Sequence, residues 1–243
     1  MQPWAHDASV TVFAFAALVF PTLFFITAPY GRHTRTGWGP SLPARMAWVV
    51  MEAPSFFFFA LFWWLNPSAF DPLVLTLAIG WLVHYGQRTF IYSLRMKAVG
   101  RRKPLLTVVM AIVFNFLNAF GNGTQLTARP HDAWFFVGLG LFVLGFGLNV
   151  HSDAVLRSLR ADGSTGYSVP QRGLHRFVAA PNYFGEIVEW LGFAIAAQTL
   201  AGWAFLAFTC ANLVPRAWSH LEWYRAQFKD YPSSRKALLP FVW

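Results

Sequence analysis

Glu52 is the first residue that invites a chemical question, because it stands inside the apolar run MAWVVMEAPSFFFFALFWWL. An ionisable side chain among so many Phe and Trp is expensive to keep unless it binds or reacts with something. Pro54, two residues on, removes a backbone N–H and frees a carbonyl nearby, which suits a cavity wall. A second apolar run carries His84, Tyr85, Arg88 and Tyr92, and residues 85, 88 and 92 share one helical face by their three- and four-residue spacing. Asn115, Asn118 and Asn122 repeat that pattern, serving equally well as interhelical glue or as cavity lining. Asn149, Asp153, Arg157 and Arg160 form a ladder along another helix, where a salt bridge between Asp153 and Arg157 is the plainest arrangement. PNYFGEIVEW opens a helix at Pro181, with Asn182 and Glu186 on one face and Glu189 close by, and two acids in one span need partners. Arg216, His220 and Tyr224 complete the set at four-residue intervals. Arginines in such number suit phosphate through bidentate hydrogen bonds, so a phosphorylated cofactor is the natural occupant. Glu52 and Tyr85, set among apolar residues, would meet an apolar substrate arriving from lipid.

The elements that hold these residues follow from composition. Of 243 residues, 56% are hydrophobic and only 12% are charged, and 26 Phe with 12 Trp exceed what so short a chain hides in a soluble core. Runs long enough to cross a bilayer lie near 9–29, 44–65, 72–94, 105–122, 133–152, 180–199 and 201–218. The expected fold is therefore all-α: a polytopic membrane protein with seven transmembrane helices, forming a single domain over 1–243. The net charge of +9 does not imply nucleic acid, because 17 of the 19 Lys and Arg fall in alternate connecting segments and the C-terminal tail. That asymmetry predicts an N-terminus outside and a C-terminus in the cytosol, with the polar stripes opening to the cytosol. The first run is too weakly flanked by positive charge for a signal peptide. Neither GxGxxG nor a P-loop occurs, so a nucleotide would be held by helices and loops; Gly138, Gly140, Gly145 and Gly147 read as close helix packing. No two His fall at ligand spacing on one helix, so no metal site is expected, and Cys210 is the sole cysteine.

HYGQRTFIYSL at 84–94, GFGLNVHSDAVLRSLR at 145–160, GYSVPQRGLHRFVAAPNYFGEIVEW at 166–190 and RAWSHLEWYRAQFKDYPSSRKALLPFVW at 216–243 resemble the steroid 5α-reductases, and Glu52 in MEAPSF matches that family's second-helix acid. The resemblance covers roughly residues 50–243. It departs at Ser168, at Arg172 and in the AVGRRK segment, which lengthens the loop after the third span. It implies a membrane enzyme that uses NADPH to saturate the 4,5 double bond of 3-oxo-Δ4-steroids. The residues matching Glu52 and Tyr85 would engage the steroid 3-oxo group. Those matching Asn149, Asp153, Arg157, Arg160, Tyr167, Asn182, Glu186, Arg216, His220 and Tyr224 would line the NADPH site, with Arg88 and Arg95 as further candidates, so most of that site falls within about 100–243.

The steroid is expected to enter from the bilayer, with membrane lipids as neighbours and no obligate protein partner. The membrane would be the inner one in a bacterium and the endoplasmic reticulum in a eukaryote. Rival readings are a sterol or enoyl C=C reductase of the same superfamily, an isoprenylcysteine-type methyltransferase using S-adenosylmethionine, and a non-catalytic lipid-binding or transport protein. A methyl transfer has no need of the Glu52 and Tyr85 pair, and lipid binding alone has no need of so many cytosolic polar residues.

Overall fold

The structure is a computed structural model that describes residues 3–27, 38–96, 100–159 and 166–243. Its elements in chain order are α1 (Pro3–Phe25), β1 (Ser41–Pro43), α2 (Ala44–Trp64), α3 (Pro72–Gly86), a π-helical segment (Gln87–Tyr92), α4 (Ser93–Arg95), β2 (Arg102–Pro104), α5 (Leu105–Gln125), α6 (Ala133–Ser158), α7 (Pro181–Ala197) and α8 (Leu200–Gln227). α3, the π segment and α4 run on as one rod, so among the described residues seven long helical stretches overlap the seven apolar runs expected from hydropathy. Four of them, α1, α2, α5 and α6, are long and apolar enough to cross a membrane by length and composition alone. α1 starts well before the apolar run at 9, and α8 runs nine residues past 218, because polar ends continue a helix once its middle is packed.

The helix starts are legible chemistry. Asp71 accepts hydrogen bonds from the Leu73 and Val74 amides ahead of Pro72, and Asp132 does the same for Phe135 at 2.8 Å. Thr199 caps α8 through the Gly202 amide, directly after Gln198 takes a left-handed backbone (φ 52°) to end α7. β1 and β2 form an antiparallel ribbon that pairs Leu42 with Lys103. The ribbon ties the starts of α2 and α5 together, since Ala44 N–H donates to Arg101 and Leu105 N–H to Pro40.

α6 and α7 pack backbone against backbone, and glycine is the reason. A Cβ on Gly138 would lie 2.5 Å from the Gly192 carbonyl, and one on Gly185 would lie 2.5 Å from the Asn149 amide, so neither position has room for a side chain. Small residues at such a seam let two backbones touch where lipid offers no hydrophobic drive to associate. Only half of the expected glycine run does this. Gly138 and Gly145 face α7, whereas Gly140 and Gly147 meet nothing within 4 Å.

The asparagines of α5 serve as glue rather than cavity lining. Asn115 donates to the Met51 carbonyl on α2, and Asn122 donates to Asn118 and to Ala201 on α8. Asn66 and Gln125 add further amide bonds among the same helix ends, the latter to Ala5 and Ser9 of α1.

The two glycine faces give a direct test. Gly145→Ala and Gly185→Ala should each destabilise the folded protein by about 1–3 kcal/mol through overpacking, whereas Gly140→Ala and Gly147→Ala should be neutral or stabilising by up to about 1 kcal/mol. Thermal melts of the four variants in detergent check this, and equal effects on both faces would contradict the seam.

Candidate functional site

The glycine seam sets α6 and α7 so close that their polar side chains interlock. Asn149 donates to the Asn182 carbonyl (3.0 Å) and to Glu186 Oε2 (3.2 Å), and Asn182 Nδ2 donates to Asp153 Oδ1 (3.1 Å). Asp153 is therefore engaged by α7, not closed into a bridge with Arg157. Its second oxygen lies 3.7 Å from the Arg88 guanidinium, which also lies 4.0 Å from Glu52. One arginine thus joins acids from α2 and α6.

The π segment is what aims Arg88. Its i→i+5 pairing widens the turn, and Ser93 Oγ donates to the Arg88 carbonyl (3.1 Å). Arg88 and Tyr92 keep the shared face that their four-residue spacing predicts. Tyr85 goes into the aromatic core beside Trp81 (5.1 Å between ring centres), whereas Arg88 lies over the Trp48 and Tyr92 rings at 4.9 and 5.1 Å. Tyr85 stays within electrostatic range of Glu52, but the group set against the Glu52 carboxylate is Arg88.

Beside this junction opens a cavity of about 260 Å³. Nine of the expected residues line it: Arg88, Asp153, Arg157, Tyr167, Asn182, Glu186, Arg216, His220 and Tyr224. Asn149 supports it from behind. Glu52 and Tyr85 lie outside the lining, Arg95 is exposed at the end of α4, and Arg160 lies outside the described residues. The Tyr167 loop is held by the C-terminal tail, where buried Arg235 donates to the Pro170 carbonyl and to Gln171. Tyr183 has the Arg216 guanidinium over its ring at 5.4 Å and the His220 ring tilted against it at 5.2 Å. Two buried polar atoms at the cavity, Asp153 Oδ2 and Arg157 Nη1, have no hydrogen-bond partner among the described residues. Left so, each would carry a desolvation cost, so the site suits an occupant with both donors and anionic acceptors.

Lys103 adds a buried cation beside the cavity. Arg101 and Arg102 stand at the cavity edge and Lys103 turns inward, 5% exposed, 3.9 Å over the Trp48 ring and 3.6 Å from Met51 Sδ. Burial lowers its pKa to about 7, against an opposing pull from Glu52. Only the ribbon register could have revealed this, because Lys103 ends a run of three basic residues that reads as a solvated loop.

A sequence profile described as 3-oxo-5-alpha-steroid 4-dehydrogenase matches residues 101–243. A steroid 5-alpha-reductase of Gossypium hirsutum is 38% identical, over 100% of this chain and 98% of its own length. The chain belongs to the steroid 5-alpha-reductase family. A steroid 5-alpha-reductase of Solanum lycopersicum is 40% identical over 96% of this chain and 95% of its own, and a 3-oxo-5-alpha-steroid 4-dehydrogenase 1 of Homo sapiens is 42% identical over 88% and 85%. The chain is accordingly an oxidoreductase, and its apolar helices make this family member a membrane protein.

Lys103 yields a pH-dependent expectation for this reductase. An unfolded lysine binds its proton up to its ordinary pKa near 10.5, but the folded one releases it near 7, so stability rises with pH between those values and the burial cost is fully felt below about 7. Lys103→Met should therefore melt above the parent at pH 6, by at least the roughly 2–4 °C that 1 kcal/mol gives a chain of this size. The gain should shrink steadily as the pH rises from 7 and vanish only above about 10.5. A difference that does not change with pH would contradict the buried, titrating lysine.

Proposed function

We propose that the chain reduces the 4,5 double bond of a 3-oxo-Δ4-steroid at the expense of NADPH. The observation that carries this reading is the Arg88 junction, which joins the acid expected at the substrate, Glu52, to the acid expected at the cofactor, Asp153. Family membership supplies the reaction class. Arg157 Nη1, which has no hydrogen-bond partner among the described residues, and the basic cavity rim fit the phosphates of a dinucleotide, while Asp153 Oδ2 can accept from a donor on it.

Bound there, NADPH supplies a hydride to C5 of the enone. The rest is the work of this chain's residues. Arg157, Arg216 and His220 hold the anionic part of the dinucleotide, and Asn182 and Glu186, fixed by Asn149 and Asp153, orient its carboxamide end. Negative charge gathers on the 3-oxo oxygen as C5 is reduced, and Tyr85 donates a hydrogen bond to it. Glu52, held beside Arg88, orients that phenol or shares its proton. C4 then takes a proton from solvent or through a relay.

The chain would cross the membrane seven times, the α3 rod, α7 and α8 included, with its N-terminus outside, its C-terminus in the cytosol and the cavity facing the cytosol. That is the inner membrane in a bacterium or the endoplasmic reticulum in a eukaryote. The steroid would arrive through the bilayer.

The test is loss of NADPH absorbance by purified protein in nanodiscs, with and without a 3-oxo-Δ4-steroid. NADPH should be preferred to NADH. Tyr85→Phe should lower turnover by on the order of 10²–10³ while cofactor binding is kept, as for loss of a single oxyanion donor. Glu52→Gln should be non-additive with it. Turnover of Tyr85→Phe within a few-fold of the parent, at saturating NADPH, would contradict the assignment of the oxo group to Tyr85.

A further inference from the structure

One buried polar pair takes no part in the steps above. His84 Nδ1 and Glu189 Oε1 lie 2.7 Å apart, with side chains 3% and 0% exposed, and Glu189 Oε2 has no hydrogen-bond partner among the described residues. The surroundings are aromatic: the His84 ring stands edge-on to Tyr85 and Trp190 at 4.9 and 4.6 Å, and Trp81 packs on Trp190 and Phe193. Replacing such a pair with well-packed apolar side chains is often neutral or stabilising, so cohesion does not explain it. A short hydrogen bond supplies direction instead. Aromatic faces can slide over one another, but this bond fixes one point of α3 to one point of α7.

The neighbours of those two points give the fixed register its meaning. His84 immediately precedes Tyr85, and Glu189 lies one turn beyond Glu186, so the bond spans the elements assigned above to the steroid and to the nicotinamide. We propose that His84 and Glu189 are a positioning pair that sets the hydride-transfer distance by locking the register of α3 against α7, an inference that rests on the function proposed above. Neither residue need touch substrate or cofactor.

Two variants test it in the intact protein. The double variant His84→Phe/Glu189→Leu removes the bond and keeps the volume apolar, whereas Glu189→Gln keeps an acceptor for the imidazole without the charge. The readouts are cofactor affinity, steroid KM, kcat and the primary isotope effect with NADPH deuterated at the transferred position. The double variant should bind NADPH and steroid within about threefold of the parent, yet lose roughly 10–100-fold in kcat with an enlarged isotope effect, as expected of a misplaced donor. Glu189→Gln should recover most of that loss. Parent-like kcat in the double variant would overturn the proposal. So would loss of NADPH binding or of folding in both variants, which would make the pair structural only. A parent protein that reduces no enone would instead refute the functional reading and this inference with it.

Discussion

Arg88 is a guanidinium held inside an apolar bundle, and the arrangement around it follows from the need to match its charge there. In hydrocarbon an unpaired cation is not tolerated, so α2 and α6 must each bring a carboxylate within 4.0 Å of it, from Glu52 and Asp153. Trp48 and Tyr92 supply π faces at about 5 Å, a second kind of cation partner that needs no charge. The π segment that carries Arg88 follows α3 directly, so the cation stands at the end of the rod whose earlier turns supply Tyr85. A single charge thereby fixes the relative placement of three helices. The same constraint sets the boundary between a polar cavity on one side and the aromatic core on the other.

The second constraint is steric and lies between α6 and α7. Glycines 138, 145, 185 and 192 leave no gap for side chains, and that contact brings Asn149, Asp153, Asn182 and Glu186 into hydrogen-bonding range. Asp153 belongs to both constraints. It accepts from Asn182 across the seam and faces Arg88 across the cavity, so the seam geometry is transmitted to the site assigned to the steroid. The Arg235 anchor under the Tyr167 loop closes the opposite rim from the C-terminal tail, which gives the specific tail motif a structural purpose.

Much of this was legible in the sequence. Hydropathy marks seven helical stretches because each is continuous and apolar, and the three- and four-residue polar ladders mark eight of the cavity's lining residues because they run along helix faces, whereas Tyr167, on a loop, rests on the family resemblance alone. What it concealed are features that depend on neighbours distant in the chain. The polar face of the third helical stretch marks Arg88, but not that Glu52 and Asp153 both come within 4.0 Å of it, because those acids belong to other helices. Glu189 needed a partner, but nothing local pointed to His84, 105 residues away. Lys103 turned inward through its register against Leu42, which no single-strand pattern encodes. Gly140 and Gly147 looked identical to Gly138 and Gly145 because a run of small residues carries no mark of which face has a partner.

The most direct test of the account is cofactor binding and steroid turnover in Arg88→Met, with Arg225→Ala, which removes only an exposed ion pair to Glu222, as the control. If Arg88 joins the two halves of one site, Arg88→Met should weaken NADPH binding by more than about tenfold, as expected for loss of hydrogen bonds to charged groups. It should also depress turnover at saturating cofactor, with Arg225→Ala like the parent. Arg88→Met that binds NADPH and reduces the steroid within a few-fold of the parent would contradict the account.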